Sequence, residues 1–197
     1  TKLNSYGLPE NSDSSVKRNL KKALSNNIKI TQDQNSLFFL KEIHLQNMNA
    51  IGGKIKPDNF FEYIPKFFDY GKEWNLFLAK IDNNPIAALL TFQCSKTVEY
   101  FMPVTKVEFR NIQPSSLLLH HAMNDAKNKG FFRWNWGGTW LEQEGVYKFK
   151  KKWGAKECKY KYHVDIDEKK INNLPLNKII DEYPFFYLIP FKNKLLN

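Results

Sequence analysis

The stretch from Trp74 to Thr105 reads WNLFLAKIDNNPIAALLTFQCSKTVEYFMPVT. The apolar period here differs from the helical spacing on either side. Trp74 to Ile81 reads as a strand, and Asp82-Asn83-Asn84 as a hairpin turn. Pro85 to Cys94 is almost continuously apolar, as a strand becomes when helices cover both faces of its sheet. Thr97 to Thr105 is a third strand. Three consecutive antiparallel strands therefore form the centre of the fold.

Helices flank this run. Asp13 or Ser14 can cap a helix whose apolar residues Val16, Leu20, Ala23 and Leu24 follow helical spacing. Ile28 to Ile30 is a short strand. Gln34 to Ala50 is helical and ends at Gly52-Gly53, and Pro57 opens another helix through about Tyr70. Downstream, Pro114 starts a helix that Gly130 terminates, Phe131 to Trp136 is a strand, and Glu142 to Trp153 is a helix. Lys159 to Ile166 alternates as a last strand, and a short helix lies near Asn177 to Glu182. Hairpin-linked strands followed by a β-α-β passage predict a mixed α/β fold, with a mostly antiparallel central sheet flanked by helices. The expected organisation is an arm over residues 1–13, one domain over 14–166 and a packed C-terminal extension over 167–197.

Composition narrows the function. Of the 197 residues 42% are hydrophobic and 15% aromatic, so the chain is globular and not a disordered segment. No apolar run approaches the ~20 residues that a membrane helix needs. The tail YPFFYLIPF, with Pro184 and Pro190 in it, reads as a packed extension or as a weak contact with an anionic membrane. No signal peptide is visible and the chain begins at Thr1, which suggests a piece of a longer polypeptide. Two lone cysteines, Cys94 and Cys158, fit a reducing cytoplasm. His44, His120, His121 and His163 show no ligand spacing, so no metal site is expected.

The net charge is +10. Lys17, Arg18, Lys21 and Lys22 contribute +4 between Ser14 and Asn27, and seven lysines against Glu157 contribute +6 between Lys148 and Lys161. Elsewhere the charges balance. Two concentrated basic segments suggest a phosphate-bearing partner.

Two places could carry chemistry. The helix opening at Gln113-Pro114-Ser115-Ser116 presents amides and a dipole to an anion, with Arg110 just before it and Lys106 further back. No glycine occurs between Gly71 and Gly130, so this backbone cannot wrap a pyrophosphate as a glycine loop does. In the second place, Val146, Phe149 and Trp153 fall on one stripe of the helix, and Lys150 falls within it. Lys148, Lys151 and Lys152 point the other way. Lys150 either lays its stem along the core edge or aims its ammonium into a cleft, against a developing oxyanion or a phosphate.

The stretch from Pro114 onward resembles a known family. Ala126-Lys127-Asn128-Lys129-Gly130 closes a helix, and Asn135-Trp136-Gly137-Gly138 closes a strand. Then comes Gly145-Val146-Tyr147-Lys148-Phe149-Lys150-Lys151-Lys152-Trp153-Gly154. This string resembles the FemAB-like branch of the GNAT acyltransferase superfamily, which includes peptidoglycan interpeptide-bridge aminoacyltransferases and BioF2-like acetyltransferases. The basic helix Val16 to Ala23 resembles the one that opens the second GNAT domain in that family. The resemblance covers about Ser14 to Ile166. It implies a GNAT fold and a transferase that moves an acyl or aminoacyl group from acyl-CoA or aminoacyl-tRNA to an amine. It also implies that Lys150 and Phe149 line the acyl-transfer channel. The family aspartate before the aromatic-Gly-Gly is Asn135 here. Bridge-forming enzymes carry two GNAT-like domains, so a second such domain is an expected partner. Donor contacts would come from Arg110, Pro114, Ser115, Ser116 and Phe149, with no tightly bound cofactor. Lys150, Glu99 and Tyr147 are the catalytic candidates, and Glu108 and Tyr100 are further proton carriers. The alternative is an inactive GNAT-like module that binds RNA or an anionic surface.

Overall fold

Asp82 and Asn83 both take left-handed backbone, with φ of 48° and 65°, and the hairpin they form sets Ile81 opposite Asn84. Short polar side chains tolerate that conformation, and its twist matches the strands it joins. The hairpin belongs to a computed structural model that describes residues 11–139, 143–158 and 175. The expected arm over 1–13 falls mostly outside these residues. So do the strand Lys159 to Ile166, the helix near Asn177 and the aromatic tail.

The element order is α1 (Ser14–Leu24), β1 (Lys29–Gln32), α2 (Leu37–Ile51), α3 (Asp58–Phe67), β2 (Trp74–Ile81), β3 (Asn84–Cys94) and β4 (Thr97–Thr105), then α4 (Pro114–Asn128), β5 (Arg133–Asn135) and α5 (Glu144–Lys152). All lie in one compact unit that ends at Lys156. The sheet runs β1-β2-β3-β4-β5 in space. The first four strands are antiparallel neighbours, and β5 joins β4 in parallel after the α4 crossover. The mixed α/β fold read from the sequence is the observed one.

Local chemistry explains the boundaries. Asp13 caps α1 by accepting a hydrogen bond from the Ser15 amide at 2.8 Å. Gly52 ends α2 at φ 63°, and Gly130 follows α4 at φ 79°. The third helix was expected to reach Tyr70 but ends at Phe67. Pro65 inside it removes an amide donor, and Phe68 turns extended. Strand β5 is three residues long instead of six. The Phe131 amide still bonds to the α4 carbonyl of Ala126, and the Phe132 amide reaches Lys96. Residues 107–112, expected as loop, form a 3-10 turn.

Two cores sandwich the sheet. On one face α1, α4 and α5 enclose Val16, Leu20, Phe77, Leu118, Trp134, Trp136 and Trp153. On the other, α2 and α3 enclose Leu40, Ile43, Phe61, Trp74, Leu76 and Leu90. Burial on both faces accounts for the near-continuous apolar run of β3, whose Ile86 to Thr91 are all buried. Ile86, Leu89 and Leu90 each contribute about 1.5–3 kcal/mol relative to exposure.

Candidate active site at the parting of two strands

Strand β4 changes neighbours half-way along. Its first residues pair with both flanking strands: Glu99 lies opposite Phe92 on β3 and Asn135 on β5. Pairing with β5 stops there. Against β3, Tyr100 pairs with Thr91 and Met102 pairs with Leu90, so Phe101 is an extra residue without a ladder partner. This is a β-bulge, and it reverses the alternation of side chains. Val98 and Tyr100 face the tryptophan core, whereas Phe101, Met102 and Val104 face the α2/α3 core. The parallel strands thus part where the backbone of β4 is left irregular. Such an edge can offer amides to a carbonyl oxygen.

Polar groups gather at the start of this parting. Glu99 Oε2 accepts from Asn135 Nδ2 at 3.0 Å, and Asn135 Oδ1 accepts from the Gly137 amide at 3.1 Å. Gly137 sits at φ 67°, and a side chain there would also meet Glu99 Oε1 at 3.7 Å. The left-handed backbone is what requires glycine. Lys150 is buried, with 9% of its surface exposed. Its ammonium donates to the Gly138 carbonyl and to Thr139 Oγ1, both at 2.8 Å. Burial lowers the pKa of Lys150 below the ordinary lysine value, and the charge of Glu99 pulls the other way. The cation is therefore held by neutral groups, near one carboxylate that itself bonds to a neutral amide. An ammonium has three N–H bonds, and described residues use two of them.

Helical phase accounts for the contrast with the other lysines. Phe149, Lys150 and Trp153 point inward, while Lys148, Lys151 and Lys152 are exposed. Lys148 bonds to Glu144 at 2.8 Å. Val146 was expected on the inward stripe but is 41% exposed, because the first turn of α5 projects beyond the core. Tyr147 is equally exposed, and the Lys151 ammonium lies 5.8 Å over its ring. Phe149 packs edge-on against Trp136 at 6.2 Å. Tyr100 is half-buried beside Trp134 and Trp136, and burial raises its pKa well above the ordinary phenol value. It therefore remains a neutral phenol. Glu108 lies in the 3-10 turn after β4.

The residues expected to hold the donor lie at the other end of β4. Arg110 donates to Asn47 Oδ1 at 2.9 Å. Ser115 and Thr105 share a hydroxyl hydrogen bond of 2.6 Å. Pro114 and Ser116 are buried, and the Ser116 amide bonds to the Gln113 carbonyl. Gln113 stands at φ 63°, so the turn reaches left-handed backbone without a glycine. Glu99 lies within electrostatic reach of Lys150 without forming an ion pair with it, and the Arg110–Ser116 group lies apart. Six residues of strand separate Glu99 from Thr105, roughly 20 Å. The bulge at Phe101 and the partners Gly138 and Thr139 were not legible as site features. A bulge leaves its trace in strand register and not in residue type.

Folding joins the two basic segments. The Asp13 amide donates to the Lys152 carbonyl at 2.7 Å, linking the start of α1 to the end of α5. Hydrogen bonds from Ser15 hold the Asp13 carboxyl below its ordinary range, and Lys152 and Arg18 act in the same direction. Lys17, Arg18, Lys21, Lys22, Lys151, Lys152 and Lys156 are all exposed around this junction.

The sequence model of the FemAB family matches residues 69–161. Among solved structures, FemX superposes with a TM-score of 0.63 at 15% identity, over 73% of this chain and 54% of FemX. Residues 69–161 are FemAB-like, and the chain has a GNAT fold. The chain spans about half the length of FemX. An aminoglycoside acetyltransferase from an uncultured soil metagenomic sample, in complex with sisomicin, matches with a TM-score of 0.55 at 13% identity, over 73% of this chain and 99% of that one. AAC(6')-Iy, in complex with the bisubstrate analogue CoA-S-monomethyl-acetylneamine, matches with a TM-score of 0.54 at 16% identity, over 72% and 99%. No curated protein sequence matches the chain. Among the described residues no helix is long and apolar enough to cross a membrane. None of their His, Cys, Asp and Glu side chains group as a metal site.

Proposed function

We propose that the chain transfers an acyl or aminoacyl group from a phosphate-bearing donor to an amine. The observation that carries this reading is the parting of β4 and β5 at a bulge, with Glu99 and the buried Lys150 beside it. The reacting carbonyl would lie along the free edge of β4 near Phe101. Glu99 takes the proton from the attacking nitrogen, directly or through water. The nitrogen forms the amide bond as the ester or thioester bond to the donor breaks. Lys150 directs its remaining N–H bond toward the oxygen that gains charge.

The donor is acyl-CoA or aminoacyl-tRNA, and the joined basic surface of α1 and α5 favours the second. A surface of that size suits a long chain of phosphates better than one pyrophosphate. The turn at Gln113, closed on its own hydrogen bonds, is a poor substitute for a glycine loop. Either donor places the reaction in the cytoplasm, and a second GNAT-like domain would complete the acceptor side.

The test is release of CoA or of free tRNA in the presence of a panel of primary amines. The wild-type chain should give amine-dependent release from one donor, and Lys150→Met should abolish it while donor binding persists. No amine-dependent release from either donor, with Lys150→Met binding tRNA no worse than Lys151→Met, would leave an inactive RNA-binding module.

A further inference from the structure

The face of the sheet opposite α1 and α4 carries a run of aromatic rings that the transfer step does not use. Phe92 is the cross-strand neighbour of Glu99, so the two side chains share that face. The Phe92 ring meets Phe101 edge-on at 5.0 Å and Phe68 at 5.6 Å. Phe101 in turn stacks on Phe60 at 5.8 Å, with planes 18° apart. Phe68 is 45% exposed, and Phe60, Phe92 and Phe101 are half-buried. The Lys56 ammonium stands 5.6 Å from the Phe60 centroid and 5.9 Å from that of Phe101. Its neighbour Asp58 is already paired with Lys41 at 3.0 Å, and among the described residues Lys56 forms no ion pair.

Resting on the transfer reading above, we propose that this shelf is the acceptor site, and that it takes a primary amine joined to a flat or ring-shaped body bearing an anionic group. The amine lies against Glu99, the body lies across Phe92, Phe101 and Phe68, and the anion meets Lys56. Contiguous, partly exposed aromatic surface of this kind can mark a binding site. Here it is bounded by opposite charges, which sets the direction of the ligand. A carboxylate next to the bulge attracts an ammonium, and a lysine two rings away attracts an anion. The shelf lies on the face of the sheet opposite α1, so donor phosphates and acceptor would approach from different sides. The nitrogen would reach the bulge from the side on which Glu99 waits.

The experiment is a nuclear magnetic resonance titration of the full chain without donor, with two matched pairs of probes. One pair is glycyl-phenylalanyl-glycine and its C-terminal amide, which differ in a carboxylate. The other is glucosamine 6-phosphate and glucosamine, which differ in a phosphate. At least one anionic member should bind about tenfold more tightly than its neutral partner, with amide shifts at Phe68, Phe92 and Phe101. The pair that responds tells carboxylate from phosphate. Lys56→Ala should erase the preference and Lys17→Ala should keep it. Glu99→Gln should weaken both members of the responding pair equally. No binding by any probe, no preference in either pair, or a preference that survives Lys56→Ala would overturn the proposal. Binding is read without a donor, so failure here leaves the transfer reading standing. Failure of donor turnover likewise leaves this result standing.

Discussion

The two ends of β4 treat their polar groups differently. At the Thr105 end, hydroxyls, amides and a guanidinium satisfy one another: Ser115 with Thr105, Arg110 with Asn47, and Ser116 with Gln113. At the Glu99 end, one cation and one carboxylate are each held by neutral partners, and the cation is buried. A buried charge without a direct counter-ion is costly, and proteins retain such groups mainly where chemistry uses them. The first end is built like a structural corner, and the second like a site.

The largest effect that would break this contrast concerns Lys150. Lys150→Met should lower the transfer rate by about 10²-fold or more. Its effect on stability should be small, because the Gly138 carbonyl is exposed, so water can replace the lost donor, and the cost of burying a charge is removed. Lys151→Met should change stability by less than about 0.5 kcal/mol. Turnover and thermal unfolding of the two variants decide it, and equal losses of turnover would reduce Lys150 to one of four basic residues. Next, Glu99→Gln should lower kcat by about 10²-fold with little change in melting temperature, since an amide oxygen still accepts from Asn135. A large stability loss would move Glu99 from chemistry to structure.

The two left-handed turns sharpen the comparison further. Gly137→Ala should cost about 1 kcal/mol, because a Cβ strains φ near 67°. It should also slow transfer by disturbing the turn that holds Lys150. Gln113→Gly should stabilise the chain by up to about 1 kcal/mol and leave transfer unchanged. If Gln113→Gly instead improved donor binding, the Thr105 end would be the donor loop after all. The smallest effect concerns His44, buried on α2, where its Nε2 accepts from the Lys56 amide at 3.2 Å. Burial, and then the charge of Lys56, lower its pKa below the ordinary 6.5. The unfolded chain therefore takes up this proton first on acidification. The stability His44 contributes is full above about pH 6.5 and declines as pH falls toward the lowered folded value. His44→Gln should flatten that part of a denaturation midpoint against pH curve, and an unchanged slope would assign it to other groups.

Much of the fold was legible because its signals are local. The asparagine turn, the continuous apolar β3, Pro114 at a helix start and Gly52 and Gly130 at helix ends each act over a few residues. The phase of α5 was legible for the same reason, and it separated Lys150 from its three neighbours. What the sequence could not show depends on pairing between distant segments. The bulge at Phe101 exists only as a mismatch between β3 and β4. The shortness of β5 follows from Phe131 and Phe132 bonding elsewhere. The junction of the two basic segments depends on the shared core and on the hydrogen bond between residues 13 and 152.

By itself, then, the sequence determined the elements, their order and which lysine turns inward, since helical and strand periods are properties of consecutive residues. Tertiary structure alone decided that Lys150 is clasped by Gly138 and Thr139 near Glu99. It also decided that the anticipated donor turn closes on itself, and that aromatic rings from α3, β3 and β4 form one shelf beside Glu99. Those outcomes depend on which backbone and side-chain groups remain unpaired once the strands have chosen their partners, and no single segment carries that information.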